Sequence, residues 1–293
     1  MAAMTESKDG NIGVNIVKGE TLDGERALYN LRGALVEGCR FAGPADGESA
    51  LKECRDVTVR GSDFELRYPL WHARGFSIES CRMTDTCRAP VWYAVDGTLS
   101  DSDISGVKCL RECEDVTVRD CRIDSTEFGW KCRGIRIENT ALTSEYAFLD
   151  SSDIDITGMR MGGKYSFQYT RDVRIADSEL DTKDAFWHSR NVTVVDSDLR
   201  GEYLGWYSEN LTLIGCRISG TQPLCYCRNL RLIDCTMEGT DLAFEYSDVH
   251  AEVKGNIESV KNPRSGRIHA GSIGEVVLGD QVMECSCEIV TDE

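Results

Sequence analysis

Five residues able to do chemistry recur at a constant interval of nineteen: Glu112, Lys131, Asp150, Tyr169 and His188. If each interval is one layer of stacked strands, Glu112 and Asp150 lie about 9–10 Å apart. That is the upper edge of the separation used by an inverting pair of carboxylates in glycoside hydrolysis. Lys131, between them, could depress a carboxylate pKa or serve as a base itself. A lyase would need Lys131, Tyr169 or His188 as base, with Arg111 stabilising an enolate-like charge. The same residues also read as a purely structural ladder, in which stacked aromatics and opposite charges hold adjacent layers together.

The residues immediately before these five, and their equivalents along the chain, extend the set. One column holds Trp71, Trp92, Arg111, Trp130, Gln168, Trp187 and Trp206, and so contains all five tryptophans. The next column adds His72, Tyr93 and Tyr207. Lys, Arg, Glu and Asp are not stacked unpaired in a core, so the stripe is expected to face outward. Five exposed indoles would form an apolar patch. Aromatic rings packing flat on sugar rings, flanked by carboxylates, amides and imidazoles, suit an oligosaccharide. The expected substrate-binding set is therefore Trp71, His72, Trp92, Tyr93, Arg111, Trp130, Gln168, Trp187, Trp206 and Tyr207. The alternative is a scaffold whose stripe is a stabilising ladder or a partner surface.

The repeat that positions these residues is clearest from Leu110 to Ile123. A small residue marks each origin, as at Cys113, Cys132, Ser151, Thr170, Ser189 and Ser208, and from Ala94 onward every step is nineteen. Two positions later only Gly, Asp or Asn occurs, which predicts a bend. Positions three and five are apolar and mostly branched around a polar residue, as in Val116-Thr117-Val118, which predicts a short strand with one face inward. A second bend falls at position seven, a second strand follows, and a variable loop leads to a third. A period of this size with three short strands per repeat predicts a single parallel β-helix, right-handed, of about twelve coils with capped ends. The expected division is an N-terminal cap over 1–27, the β-helix over 28–249 and C-terminal cap strands over 250–293. Short insertions such as Gly43–Gly47 fall in loops.

The 293 residues carry a net charge of −17, which argues against nucleic acid or an anionic membrane as partner. It also makes a strongly anionic polymer an awkward ligand unless basic residues collect locally. The first ten residues are polar and no run approaches membrane-spanning length, so a soluble cytoplasmic protein is expected. Nine of the fourteen cysteines fall in two small-residue columns, at the origin and at position eight. They read as buried packing residues rather than disulfides. Cys285-Ser-Cys287 and Cys225-Tyr-Cys227 lack zinc-site spacing, and neither a metal nor a cofactor is expected.

At position six the outward residues become apolar over four coils: Ala176, Val195, Ile214 and Ile233. Such a column needs a cover, either the C-terminal segment folding back or a second subunit in a homodimer. The fold-back is the favoured expectation.

Several longer stretches, GERALYNLR (24–32), LRYPLWH (66–72), DTKDAFWH (181–188), TQPLCY (221–226) and KNPRSG (261–266), resemble a mostly bacterial family of unknown function with members of about this length. The resemblance implies a pectate-lyase-like β-helix and carries no catalytic residues.

Overall fold

The structure is a computed structural model that describes residues 15–43 and 48–292. The Gly43–Gly47 insertion therefore lies mostly outside the described residues, as do the first fourteen. The chain is an all-β parallel solenoid of about 14 turns with a coil spacing of about 19 residues and, among the described residues, no helix. The inward branched residues pair coil on coil: Val116 opposes Ile135, then Ile154, Val173, Val192 and Leu211. A second ladder runs Ile123, Leu142, Met161, Leu180, Leu199, Ile218. Aromatic rings fill the space between, with Phe148, Phe167 and Phe186 stacked at 4.8 and 5.0 Å.

Two solenoid features exceed expectation. The turns number about 14 rather than twelve. Asn15–Lys18 already pairs in parallel with Arg32–Glu37. At the other end Asp248–Lys261, Ser265–Val277 and Glu288–Thr291 continue the parallel stack. Their sequences depart from the nineteen-residue pattern, so the repeat alone undercounts the coils.

The third side of each coil is not a regular strand in most coils. It pairs as strands only where Leu70–Trp71 meets Val91–Trp92, with bridges onward from Trp92 to Arg111 and Trp130. Elsewhere it is a stack of turns in which every second residue is left-handed: Tyr146, Phe148 and Asp150 in one coil, Tyr165, Phe167 and Tyr169 in the next. Positive φ is costly for bulky residues. Here the turns are held coil to coil by backbone hydrogen bonds, such as Phe167 N–H to Ala147 C=O (2.8 Å) and Tyr169 N–H to Trp187 C=O (2.8 Å).

The bends fall where Gly, Asp and Asn predict them. Asp115, Gly134, Asp153, Asp172, Asn191, Asn210 and Asn229 all have φ between 51° and 69°. At Gly134 a Cβ would meet the Asp115 carboxylate oxygen at 2.3 Å, so a side chain there would displace that carboxylate. Further along the same column, Asn229 donates to Asn210 (2.8 Å) and Asn210 to Asn191 (2.9 Å).

The two small-residue columns are buried, and they also relay hydrogen bonds. Ser151 Oγ accepts from the Cys132 backbone N–H (2.9 Å) and donates to Gly129 C=O (2.6 Å). Cys132 Sγ does the same between Cys113 N–H (3.3 Å) and Leu110 C=O (3.2 Å). Ser and Cys are interchangeable at these positions because each can satisfy a corner amide that burial would otherwise strand; Ser189 Oγ is an exception, buried without a partner. At the last full coil the relay is Ser247, which accepts from Cys227 N–H at 2.9 Å. Tyr246 consequently joins the column before the origin.

The C-terminal segment does not fold back over the outer apolar column. Glu288–Thr291 pairs with Arg267–Ala270 at the end of the rod. Ala176, Val195 and Ile214 remain half-buried and Ile233 is 43% exposed. Among the described residues no helix is long and apolar enough to cross a membrane.

Candidate functional site

Every described residue in the column before the origin is left-handed. Tyr169, His188, Tyr207, Tyr226 and Tyr246 have φ of 53–59°. That conformation turns their amides into the coil-to-coil bonding and leaves their side chains at the corner of the rod. His188 N–H donates to Trp206 C=O (3.0 Å), and Tyr226 N–H to Glu245 C=O (2.7 Å). The resulting rings form a continuous ladder. Tyr169 to His188 is 5.1 Å at 9°, His188 to Tyr207 5.0 Å at 9°, and Tyr207 to Tyr226 4.8 Å at 15°. Tyr246 ends it, tilted, at 5.6 Å.

This ladder lines an open groove of about 620 Å³. Its other wall is the position after the origin, where Arg171, Arg190 and Glu209 each open a strand and are register partners on successive coils, and Arg228 bridges to Glu209. Asp150, Thr170, Cys227, Arg264 and Met283 complete the lining. The Val282 backbone N–H donates to the Tyr246 hydroxyl (3.2 Å), which brings the 279–287 loop against the C-terminal end of the groove. Burial, and then the Glu245 carboxylate, pushes the Tyr226 phenol pKa upward, so the phenol stays protonated and remains a donor.

Because the rings are stacked nearly parallel, their faces cover one another. What the groove receives is a row of ring edges, phenol hydroxyls and an imidazole, repeated once per coil. Flat stacking of sugars along the whole stripe is therefore not available. Tyr169 begins the ladder and has no ring on the Asp150 side, consistent with its 56% exposure.

The sequence-predicted residues divide into three groups. Asp150, Tyr169, His188 and Tyr207 come together in the groove. Glu112, Lys131 and Arg111 lie on the preceding coils, outside its lining. Glu112 approaches Arg111 (3.7 Å), and Arg111 also reaches Glu127 (3.4 Å) and lies 5.2 Å from the Trp130 ring. No ion pair joins Lys131 to Glu112 or Asp150, so the expected charge ladder does not form. A third group sits towards the N-terminus. Trp71 stacks on Trp92 at 5.5 Å beneath the Lys52 ammonium, His72 pairs with Glu53 at 2.9 Å, and Tyr93 packs on Trp92 at 5.1 Å.

The tryptophans are not exposed platforms, because all five are half-buried. Trp187 Nε1 donates to Tyr203 C=O (3.0 Å) and Trp206 Nε1 to Gln222 C=O (2.7 Å), while Trp130 makes the equivalent bond to Tyr146 C=O. Gln168 takes the same place with an amide, 3.5 Å from Asp184 C=O. Each reaches sixteen residues onward and fastens the turn of the next coil. Only Trp71 and Trp92 leave Nε1 without a partner.

The arginine wall was missed by sequence reasoning, although its signal was present. Arg32, Arg55, Arg74, Arg133, Arg171, Arg190 and Arg228 all occupy the position after the origin. Among the described residues no group of three or more His, Cys, Asp or Glu side chains is placed to hold a metal ion.

A solenoid with an edge-on aromatic ladder facing a basic wall is what the fold and site define. The chain belongs to the DUF3737 family, a protein family of unknown function, whose model matches residues 15–290. No curated protein matches it. Among solved structures it is similar to PfbA, a surface adhesin of Streptococcus pneumoniae, at 8% identity and a TM-score of 0.44, covering 96% of this chain and 84% of that one. It is also similar to a mutant tailspike protein of E. coli bacteriophage HK620 in complex with pentasaccharide, at 8% identity and a TM-score of 0.49, covering 90% and 60%. A third is the A-module of an Azotobacter vinelandii mannuronan C-5 epimerase, at 12% identity and a TM-score of 0.29, covering 92% of each chain.

Proposed function

We propose that the groove binds a linear oligosaccharide along the rod axis. The observation that carries this reading is the ladder from Tyr169 to Tyr226, which offers a hydroxyl or imidazole edge at each coil opposite a wall of charged side chains. A chain of sugars presents hydroxyls at regular intervals, and such a row of donors and acceptors is the complementary surface. The exposed face of Tyr169 beside Asp150 provides one position for ring stacking. Binding without hydrolysis fits the carboxylates in the lining. Asp150 and Glu209 are three coils apart, about 14 Å, beyond the range of a glycosidase pair.

Trp206 lies 5.5 Å from Tyr226 and 6.2 Å from Tyr207, so its fluorescence reports on the groove. Titration with neutral and acidic oligosaccharides, checked by calorimetry, should show saturable binding. Tyr207→Ala should weaken it about tenfold, equivalent to about 1.4 kcal/mol. Absence of binding across both classes would sink the proposal and favour a scaffold role. The outer column of half-buried Ala176, Val195 and Ile214 and exposed Ile233 is the place proposed for packing by a second copy. Sedimentation of wild type against Ile233→Glu tests it, and a concentration-independent monomer would rule it out.

A further inference from the structure

The Arg171, Arg190 and Arg228 wall has an excess of positive charge, as the same column has again where Arg32, Arg55 and Arg74 are register partners, but only the first set lines the groove. Elsewhere basic side chains are repeatedly matched to an acid on the neighbouring coil: Arg40 to Glu65 (2.8 Å), Arg60 to Glu79 (2.9 Å), Lys183 to Glu202 (2.7 Å). In the groove, Arg171 and Arg190 are direct register partners on adjacent strands. Like charges placed opposite one another in a sheet are destabilising. Arg190 has one acid, Glu209 at 3.5 Å. The side chains of Arg171, Arg228 and Arg264 form no ion pair or side-chain hydrogen bond. The lining thus sets four guanidiniums against two carboxylates, Asp150 and Glu209, in a chain of net charge −17. Basic residues do collect locally on this acidic molecule, and they do so beside the ring edges.

We infer that the groove selects acidic oligosaccharides, with sugar carboxylates seated on Arg171, Arg190 and Arg228 and hydroxyls on the Tyr/His ladder. This rests on the oligosaccharide reading and sharpens it to a substrate class. A guanidinium receives a carboxylate through two parallel N–H donors, and that geometry favours arginine over lysine here. A uronate ligand would relieve the Arg171–Arg190 repulsion that the free protein carries. Single-stranded nucleic acid is the other anionic polymer attracted to basic, aromatic grooves, but it binds by stacking bases on open ring faces. In this ladder the faces are covered by neighbouring rings, which favours the sugar.

The test is calorimetry on the full chain with hexagalacturonate, cellohexaose and a deoxythymidine decamer, at low and at high salt. Hexagalacturonate should bind at least about tenfold more tightly than cellohexaose, with the difference shrinking at high salt. Arg171→Gln and Arg190→Gln should each remove most of that difference, weakening hexagalacturonate far more than cellohexaose. Arg231→Gln, on a different outward column, should change neither. Arg171 makes no ion pair or side-chain hydrogen bond and faces Arg190, so its replacement by Gln should not lower the melting temperature, and Arg171→Lys should recover only part of the affinity. Equal affinity for the two hexasaccharides overturns the inference and leaves the oligosaccharide reading standing. Binding of neither overturns both. Decamer binding as tight as hexagalacturonate overturns the assignment to sugar.

Discussion

Twelve of the fourteen thiols are buried, and burial pushes the pKa up to about 12 for Cys54 and to about 11 for Cys81 and Cys227. A protonated, inaccessible thiol is a poor nucleophile. Ellman's reagent should therefore titrate only Cys285 and Cys287 in the native protein and all fourteen after denaturation; early reaction of more than two would contradict the buried columns. A carboxylate on the outer face makes a second residue-scale case. Asp198 is held below the usual carboxylate range by Arg217, which grips both its oxygens, and next by Arg200 at 3.3 Å. A depressed folded pKa contributes stability above the unfolded value, and that contribution disappears as pH falls through the folded value. Arg217→Met should thus lower stability slightly at neutral pH. Thermal melts should show the deficit vanishing in acid, and a deficit independent of pH would exclude the pairing as its cause.

Turns, rather than strands, decide the stability of the third side. Phe167 combines a left-handed backbone (φ 58°) with complete burial between Phe148 and Phe186. Phe167→Ala should cost about 3–5 kcal/mol, because it removes two ring contacts and leaves a cavity that rigid neighbouring coils cannot fill. Trp187→Phe keeps the half-buried ring and loses the bond to Tyr203 C=O, so about 1 kcal/mol is expected. Chemical denaturation distinguishes the two, and equal losses would mean that the indole acts through packing alone. The six-residue strands were legible beforehand, since period-two alternation such as Val116-Thr117-Val118 has one physical reading. The turns were not, because Phe and Tyr carry no signature of positive φ. Their conformation is imposed by the coils above and below.

For the molecule as a whole, the last coil is fastened by charge. His269 sits between Glu252 (2.8 Å) and Asp292 (3.0 Å). Glu252 first, then Asp292, raises its pKa above the ordinary histidine value. A raised folded pKa contributes stability that is fully present below the unfolded value and is lost as pH rises through the folded one. Amide exchange in Glu288–Thr291 should consequently quicken, beyond the intrinsic base-catalysed rate, on passing from mildly acidic to mildly alkaline pH. His269→Gln should abolish that extra dependence, and its persistence in the variant would exclude the imidazole. The same loop region contributes Met283 and Val282 to the groove end, so loosening of the final coil reaches the proposed site.

Read from the amino acids alone, the nineteen-residue period determines the parallel solenoid, its bends and the small-residue columns. Those depend on local backbone preference and on which side chains tolerate burial, and each coil repeats them. Four of the proposed site residues, Asp150, Tyr169, His188 and Tyr207, were also legible, because a fixed period places equivalent positions on one line. Only the tertiary structure decided which of that line is a groove. The ring faces are consumed by stacking on each other, the indoles are consumed by carbonyls sixteen residues on, and Arg111 is consumed by Glu127. Those outcomes depend on distances between coils and on which partner each side chain meets, and no period in the sequence encodes them.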